Sequence, residues 1–332
     1  MKSQRYPLFI YFSIFLTALA LLTGCASPNA QQGLFKDSDY KKIMERQRQK
    51  QEAMAKTDEE AARKIPEMSA PGHEELGDHY LRAGNTDLAF LQYDKSLRLE
   101  PKRTGVHYKI ACLFLKKGLV EEAKTEFRQI LKERPDYALA FEGLGRAYFK
   151  AHDPKEAEKA LSQALRINSE LWLAHNLLGV IYDQQGQLDK AITHYQAAIA
   201  LKPNMGSLFN NLGMCYFLQG EHQKALTSYN EAIKKGYTDS RVHNNLAQVL
   251  IGLKKYDEAL QAFKESGKPY LAYYNMGTIY LREGKYPEAI QHFEKAMAGN
   301  PAYFSPAAEK LKIAQQALFK GAAKAESGNS GE

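Results

Sequence analysis

The sequence predicts an all-α solenoid of antiparallel helix pairs, seven stacked units closed by a capping helix, and three periodic features carry that prediction. Small residues recur at Gly77, Ala111, Gly145, Gly179, Gly213, Ala247 and Gly277, and alanine recurs at Ala89, Ala123, Ala157, Ala191, Ala225, Ala259 and Ala289. Both series step by 34 residues five times and then once by 30. Three residues beyond each member of the first series stands Tyr80, Phe114, Tyr148, Tyr182, Tyr216, Leu250 or Tyr280. Four beyond each alanine stands Tyr93, Phe127, Leu161, Tyr195, Tyr229, Phe263 or Phe293. Pro101, Pro135, Pro203 and Pro301 close four of the units. A small residue lets two helices approach, and a large one a turn away on the same face fills the gap. Each helix pair leaves an apolar edge that only the next pair covers, so the array folds as a stack without a single compact core.

Taken in chain order, residues 1–24 come first. Lys2 and Arg5 precede a fifteen-residue, largely apolar run from Leu8 to Leu22, which ends in Leu22-Thr23-Gly24-Cys25. A short positive stretch, an apolar run too short to favour a spanning helix and a small-residue end describe a secretory signal. The Leu-Thr-Gly-Cys tetrad resembles a bacterial lipobox, which implies that Cys25 becomes the lipid-bearing (palmitate-type) N-terminus. Ala26 and Ser27 follow in place of the aspartate that retains such proteins in the inner membrane. The resemblance therefore implies an outer-membrane anchor facing the periplasm, with inner-membrane retention or export to the surface as the alternatives. Residues 25–69 form the lipidated N-terminus and a polar tether, rich in Gln, Lys and Glu. They carry too little apolar surface to fold alone, and as a flexible chain they would span about 35–40 Å.

The units are 70–103, 104–137, 138–171, 172–205, 206–239, 240–269 and 270–303. Gly84, Gly118, Gly186, Gly220 and Gly284 fall between the two helices of their units, where a left-handed residue costs little only for glycine. His152 and Lys254 occupy that place in the third and sixth units, and looser or differently shaped turns are expected there. Prolines end the second helix because they lack an N–H and clash with the preceding turn; where Ser169 and Tyr237 stand instead, the adjacent Asn168 and Gly236 do so. The sixth unit is four residues short, and the loss falls within Lys264–Pro269, removing about one turn of its second helix. Residues 304–320 read as the capping helix, with Leu311, Ala314, Leu318 and Phe319 as its covering face, and residues 321–332 as a disordered tail.

The repeat of 34 residues with these positions resembles the tetratricopeptide repeat (TPR), a helix-turn-helix unit. The resemblance covers residues 70–303 and implies a right-handed solenoid whose first (A) helices line a concave groove. It places the fifth, sixth and ninth positions of each unit toward that groove. The fifth positions include Asn176, Asn210, Asn244 and Tyr274, and the sixth include Asn211, Asn245 and Asn275. Amide side chains both donate and accept, so a ladder of them suits the N–H and C=O groups of an extended peptide. Met214 and Phe217 offer apolar contact, and Arg241 a charge for orientation. Local packing of the sixth-position asparagines is the competing explanation. The Lys and Asn positions of the family's acidic-tail clamp are here Glu74, Asp78, Tyr108 and Cys112, so that specificity is not expected.

Composition limits the function classes. The 332 residues are 44% hydrophobic and 25% charged, which excludes a disordered chain and a multi-span membrane protein. The net charge of +7 falls to +5 once Lys2 and Arg5 are removed, and it is spread along the chain, so nucleic acid is not an expected partner. Cys112 and Cys215 lie three units apart, too far for a disulfide, and read as buried free thiols. His73, His107, His175 and His243 share the fourth position of their units. Neighbouring units stand about 10 Å apart while the ligands of one metal converge within about 2 Å, so these histidines read as packing groups. No phosphate loop, nucleophile elbow or His-Glu-x-x-His is present. No catalysis, cofactor or metal is expected. The combination resembles repeat lipoproteins that assist type IV or tight-adherence pilus and secretion machinery. It implies pilus or secretion components as partners, or alternatively recruitment of peptidoglycan hydrolases or envelope proteases.

Overall fold

The computed structural model describes residues 45, 49, 68–300 and 305–328, with side chains through residue 320. The chain divides into Met1–Pro66 and Glu67–Glu332, and the helices below all lie in the second unit. The signal, Cys25 and nearly all of the tether lie outside the described residues. Fifteen helices run in chain order: α1 (Ala70–Arg82), α2 (Thr86–Leu99), α3 (Thr104–Lys117), α4 (Val120–Glu133), α5 (Ala138–Lys150), α6 (Pro154–Ile167), α7 (Trp172–Gln184) and α8 (Leu188–Leu201). There follow α9 (Gly206–Leu218), α10 (His222–Lys234), α11 (Ser240–Gly252), α12 (Tyr256–Glu265), α13 (Pro269–Arg282), α14 (Tyr286–Ala298) and α15 (Ser305–Gly328), the fifteen being those of the second unit's described residues. This is the all-α, right-handed TPR solenoid of antiparallel pairs, with odd-numbered A helices and even-numbered B helices up to α14.

The periodic residues meet as pairs across each unit. Gly77, Gly179, Gly213 and Gly277 lie against the rings of Tyr93, Tyr195, Tyr229 and Phe293, and Gly145 against Leu161. A methyl group on Gly179 would stand 2.7 Å from Tyr195 Cε1, so the helix-B side chain occupies the volume that the glycine leaves open. Tyr93, Phe127, Leu161, Tyr195, Tyr229 and Phe293 are buried completely or nearly so. Each such burial stabilises by about 1.5–3 kcal/mol. The second helices stop where expected: Glu100, Arg134 and Lys202, each just before a proline, cap α2, α4 and α8.

Two expectations from the sequence are corrected. His152 and Lys254 do not loosen their turns, because each adopts the left-handed conformation of the glycines, with φ of 58° and 61°. The hydrogen bonds are also those of the glycine turns. His152 N donates to Phe149 O and Asp153 N to Tyr148 O, as Gly118 N does to Leu115 O and Leu119 N to Phe114 O. The chain accepts local strain at two positions to keep the helix-pair angle. The final helix, moreover, does not end at Lys320 with a disordered tail beyond. It continues to Gly328 through an alanine-rich stretch that favours helix intrinsically. Its covering face is Ala307, Leu311 and Ala314, packed with Phe293 and Ala296. Leu318 and Phe319 are exposed, at 40% and 76%. Phe319 is turned about 140° from Ala314 at 100° per residue.

The sixth unit is short in its second helix. α12 has 10 residues, and Ser266 closes it by donating from its hydroxyl to Phe263 O at 2.7 Å. Consecutive A helices touch from α3 through α11, whereas no two consecutive B helices come comparably close. The A side is therefore the inner arc of the curve. α11 and α13, which flank the shortened helix, lack that close contact, as do α1 and α3.

Candidate functional site

The inner face carries two clefts of different chemistry. The first, about 500 Å³, opens between α11 and α13, where the A helices separate. Asn244, Asn245 and Gln248 of α11 face Tyr274, Asn275, Thr278 and Ile279 of α13, and Phe263 and Lys310 complete the wall. Lys310, on α15, stands 6.0 Å from the centre of the Tyr274 ring. Four groove residues expected from the sequence, Asn244, Asn245, Asn275 and Tyr274, come together here.

The others are placed separately. Asn176 and Asn210 continue the fifth-position ladder on α7 and α9, and the Oδ1 of each is buried without a hydrogen-bond partner. Asn210 Nδ2 donates weakly to Asn211 Oδ1 at 3.4 Å. Met214 is half-buried on α9. Phe217 packs on His222, with ring centres 5.7 Å apart. Arg241 is held by Asp239, whose carboxylate accepts from its guanidinium at 2.7 and 3.0 Å. That contact holds the Asp239 carboxyl down at about 2, and Arg241 is engaged within its own helix start.

The second cleft, about 690 Å³, is almost wholly apolar and spans α1, α3, α5 and α7. Leu81, Tyr108, Cys112, Leu113, Leu115, Phe149, Leu173 and Leu177 line it, with Lys109, Lys116, Arg146 and Lys150 at its margins. It was not among the sites expected from the sequence, although a signal is present there: Cys112 and Arg146 are ninth-position residues, as are Gln248 and Thr278 in the first cleft. Lys109 bridges Glu74 and Asp78, at 2.7 Å to each, and Arg103 binds Glu74 at 2.6 Å. The fifth- and ninth-position acids of the first unit are thereby neutralised, whereas the sixth-position Glu75 is exposed. Burial pushes the Glu142 carboxyl up, against the opposing charge of Arg146 and a hydrogen bond with the Ala174 backbone.

The fourth-position histidines meet the second helix of their own unit. His73 Nδ1 lies 2.8 Å from Gln92 Oε1, His107 Nδ1 2.9 Å from Glu126 Oε2, and His175 Nδ1 3.0 Å from His194 Nδ1. His243 Nδ1 is 3.3 Å from Glu265 Oε2. Among the described residues no group of His, Cys, Asp and Glu is arranged to hold a metal ion. Burial pushes the Cys215 thiol up to about 12 and raises that of Cys112, so neither is primed as a nucleophile. Among the described residues no helix is long and apolar enough to cross a membrane.

Stacked helix pairs with an inner groove of amide and apolar patches define a TPR protein, a protein-interaction scaffold of a kind that is typically non-catalytic. The family described as the cilia and flagella-associated protein 70 C-terminal domain matches residues 30–269, and the chain belongs to it; the tetratricopeptide repeat family matches residues 270–301. Superkiller complex protein 3 of Mus musculus is 29% identical over 132 residues, 40% of this chain, and that of Homo sapiens is 28% identical over 131. The chain spans only 8% of the length of these relatives. Among solved structures, PilW, a widely conserved type IV pilus biogenesis factor, superposes with a TM-score of 0.52 at 18% identity, covering 58% of this chain and 90% of PilW. The MamA protein gives 0.45 at 25% identity, covering 49% of this chain and 89% of MamA.

Proposed function

We propose that the chain is a lipid-anchored scaffold at the periplasmic face of the outer membrane, holding an extended segment of a protein partner in its inner groove. The observation that carries the groove assignment is the repetition of asparagine at Asn176, Asn210 and Asn244, with the Oδ1 of the first two buried and unpaired. Such an unpaired acceptor costs about 1–3 kcal/mol, which a donor from a bound peptide relieves once the amide turns. The cleft formed by Asn244, Asn245, Asn275 and Tyr274 extends the same chemistry. The anchor rests on the Leu22-Thr23-Gly24-Cys25 tetrad and the apolar run before it. Pilus or secretion components are the partners in this reading, on the combination of lipobox and repeats; gathering cell-wall hydrolases or envelope proteases is the second reading. Crosslinking in cells followed by mass spectrometry of what lies in the groove separates the two. Asn176, Asn210 and Asn244 replaced together by Ala should reduce capture of that partner about tenfold with helical circular dichroism unchanged, and undiminished capture refutes the ladder.

A further inference from the structure

The two halves of the groove ask for different ligands. We infer that the apolar cleft across α3, α5 and α7 docks an amphipathic helix of a protein partner, apolar on the inserted face and acidic along its flanks. This rests on the reading of the groove as a partner site and assigns the chemistry of its other half. An extended peptide brings an unpaired N–H and C=O at every residue. Leu113, Phe149, Leu173 and Leu177 answer none of them, and each polar group buried without a partner costs about 1–3 kcal/mol. A helix satisfies its own backbone and presents only side chains, at the i, i+3/i+4 and i+7 spacing of helix-in-groove docking. The volume of about 690 Å³ is enough for several such side chains.

The charge at the rim selects the flanks. Lys116 forms no ion pair among the described residues, Arg146 faces the charge of the buried Glu142, and Lys150 donates to a backbone oxygen, Leu115 O, at 2.9 Å. The acids nearby offset them only in part. Glu74 and Asp78 are consumed by Lys109 and Arg103, Glu142 is 94% buried and acts on Arg146 alone of the rim cations, and Glu75 of the first unit is exposed outside the cleft lining. Lys116 and Lys150, cations without an acidic partner at the edge of an apolar floor, complement carboxylates placed beside an apolar helix face.

A yeast-displayed library of random 16-residue segments sorted against the full chain, then counter-sorted against the Leu173→Glu chain, tests this. The expected winners carry apolar residues at helical spacing with Asp or Glu beside them, and lose at least tenfold in affinity to the Leu173→Glu chain. Lys116→Glu, an exposed change with no packing to lose, should weaken them severalfold and reverse the preference toward basic flanks. Winners without helical period, winners with basic flanks on the unaltered chain, or equal binding to Leu173→Glu overturn the inference. So does stoichiometric fatty acid extracted from the purified chain, which would assign the cleft to an acyl chain. The Asn176, Asn210 and Asn244 triple variant tests the amide half of the groove separately, by capture of the cellular partner. If no helix is selected while that variant still loses its cellular partner, the helix assignment fails and the groove reading stands.

Discussion

Replacing His152 and Lys254 by glycine should stabilise the solenoid, although both changes put glycine beside a helix end. Each residue sits at φ near 60° with an exposed side chain, so no packing is lost on truncation. A left-handed conformation costs a residue with a Cβ about 1–2 kcal/mol, and the greater freedom of glycine in the unfolded chain returns part of that. The net gain is about 0.5–1 kcal/mol per site, and the sites are three units apart, so the double variant should gain about 1–2 kcal/mol. The reciprocal change is Gly118→His. A Cβ there meets nothing within 4 Å at φ 81°, so the cost isolates backbone strain and should be about 1–2 kcal/mol. Since a solenoid unfolds as coupled units, the urea midpoint should be read together with hydrogen exchange at the α5–α6 and α11–α12 turns. Loss of stability in the two glycine variants, or no cost for Gly118→His, would refute the claim that these turns are held strained by their neighbours.

Three further outcomes are expected. Below neutral pH the fourth unit should weaken: burial first, then the charge of His175, pushes His194 down to about 4, so the unfolded chain binds the proton more readily. Stability is whole above the ordinary histidine value near 6.5 and is lost as pH falls toward 4, by about 1–2 kcal/mol after allowing for partial exposure. His194→Gln, which recreates the His73–Gln92 pair, should reduce that acid sensitivity in thermal melts, leaving the smaller part due to the burial of His175. Tyr229→Phe should be neutral or stabilising by up to about 1 kcal/mol, since its buried hydroxyl has no partner, whereas Tyr93→Phe should cost about 1 kcal/mol by losing the 2.6 Å bond to Asp78; equal costs in denaturation would contradict this. Cys25→Ser should abolish lipid labelling and release the protein from membranes, and persistence in the outer-membrane fraction would refute the lipobox.

The sequence by itself determined the helix-pair solenoid, because spacing is a one-dimensional property. Gly77, Gly145, Gly179 and their partners Tyr93, Leu161 and Tyr195 repeat at fixed intervals, and a repeated contact within each unit leaves a repeated signature. The same logic made the asparagine ladder visible. Tertiary structure decided what depends on neighbours from different units. The turns at His152 and Lys254 are shaped by the helices they join, which override the local preference for glycine. The amide cleft joins α11 and α13, which flank the shortened α12, and it takes Lys310 from a helix outside the repeats. Arg241 was free on paper but is bound by Asp239, and the apolar cleft gathers Leu81, Cys112, Arg146 and Leu177 from four units, each unremarkable in its own. A site shared among units depends on how they curve and on which charges pair, and neither is written in the period of any single unit.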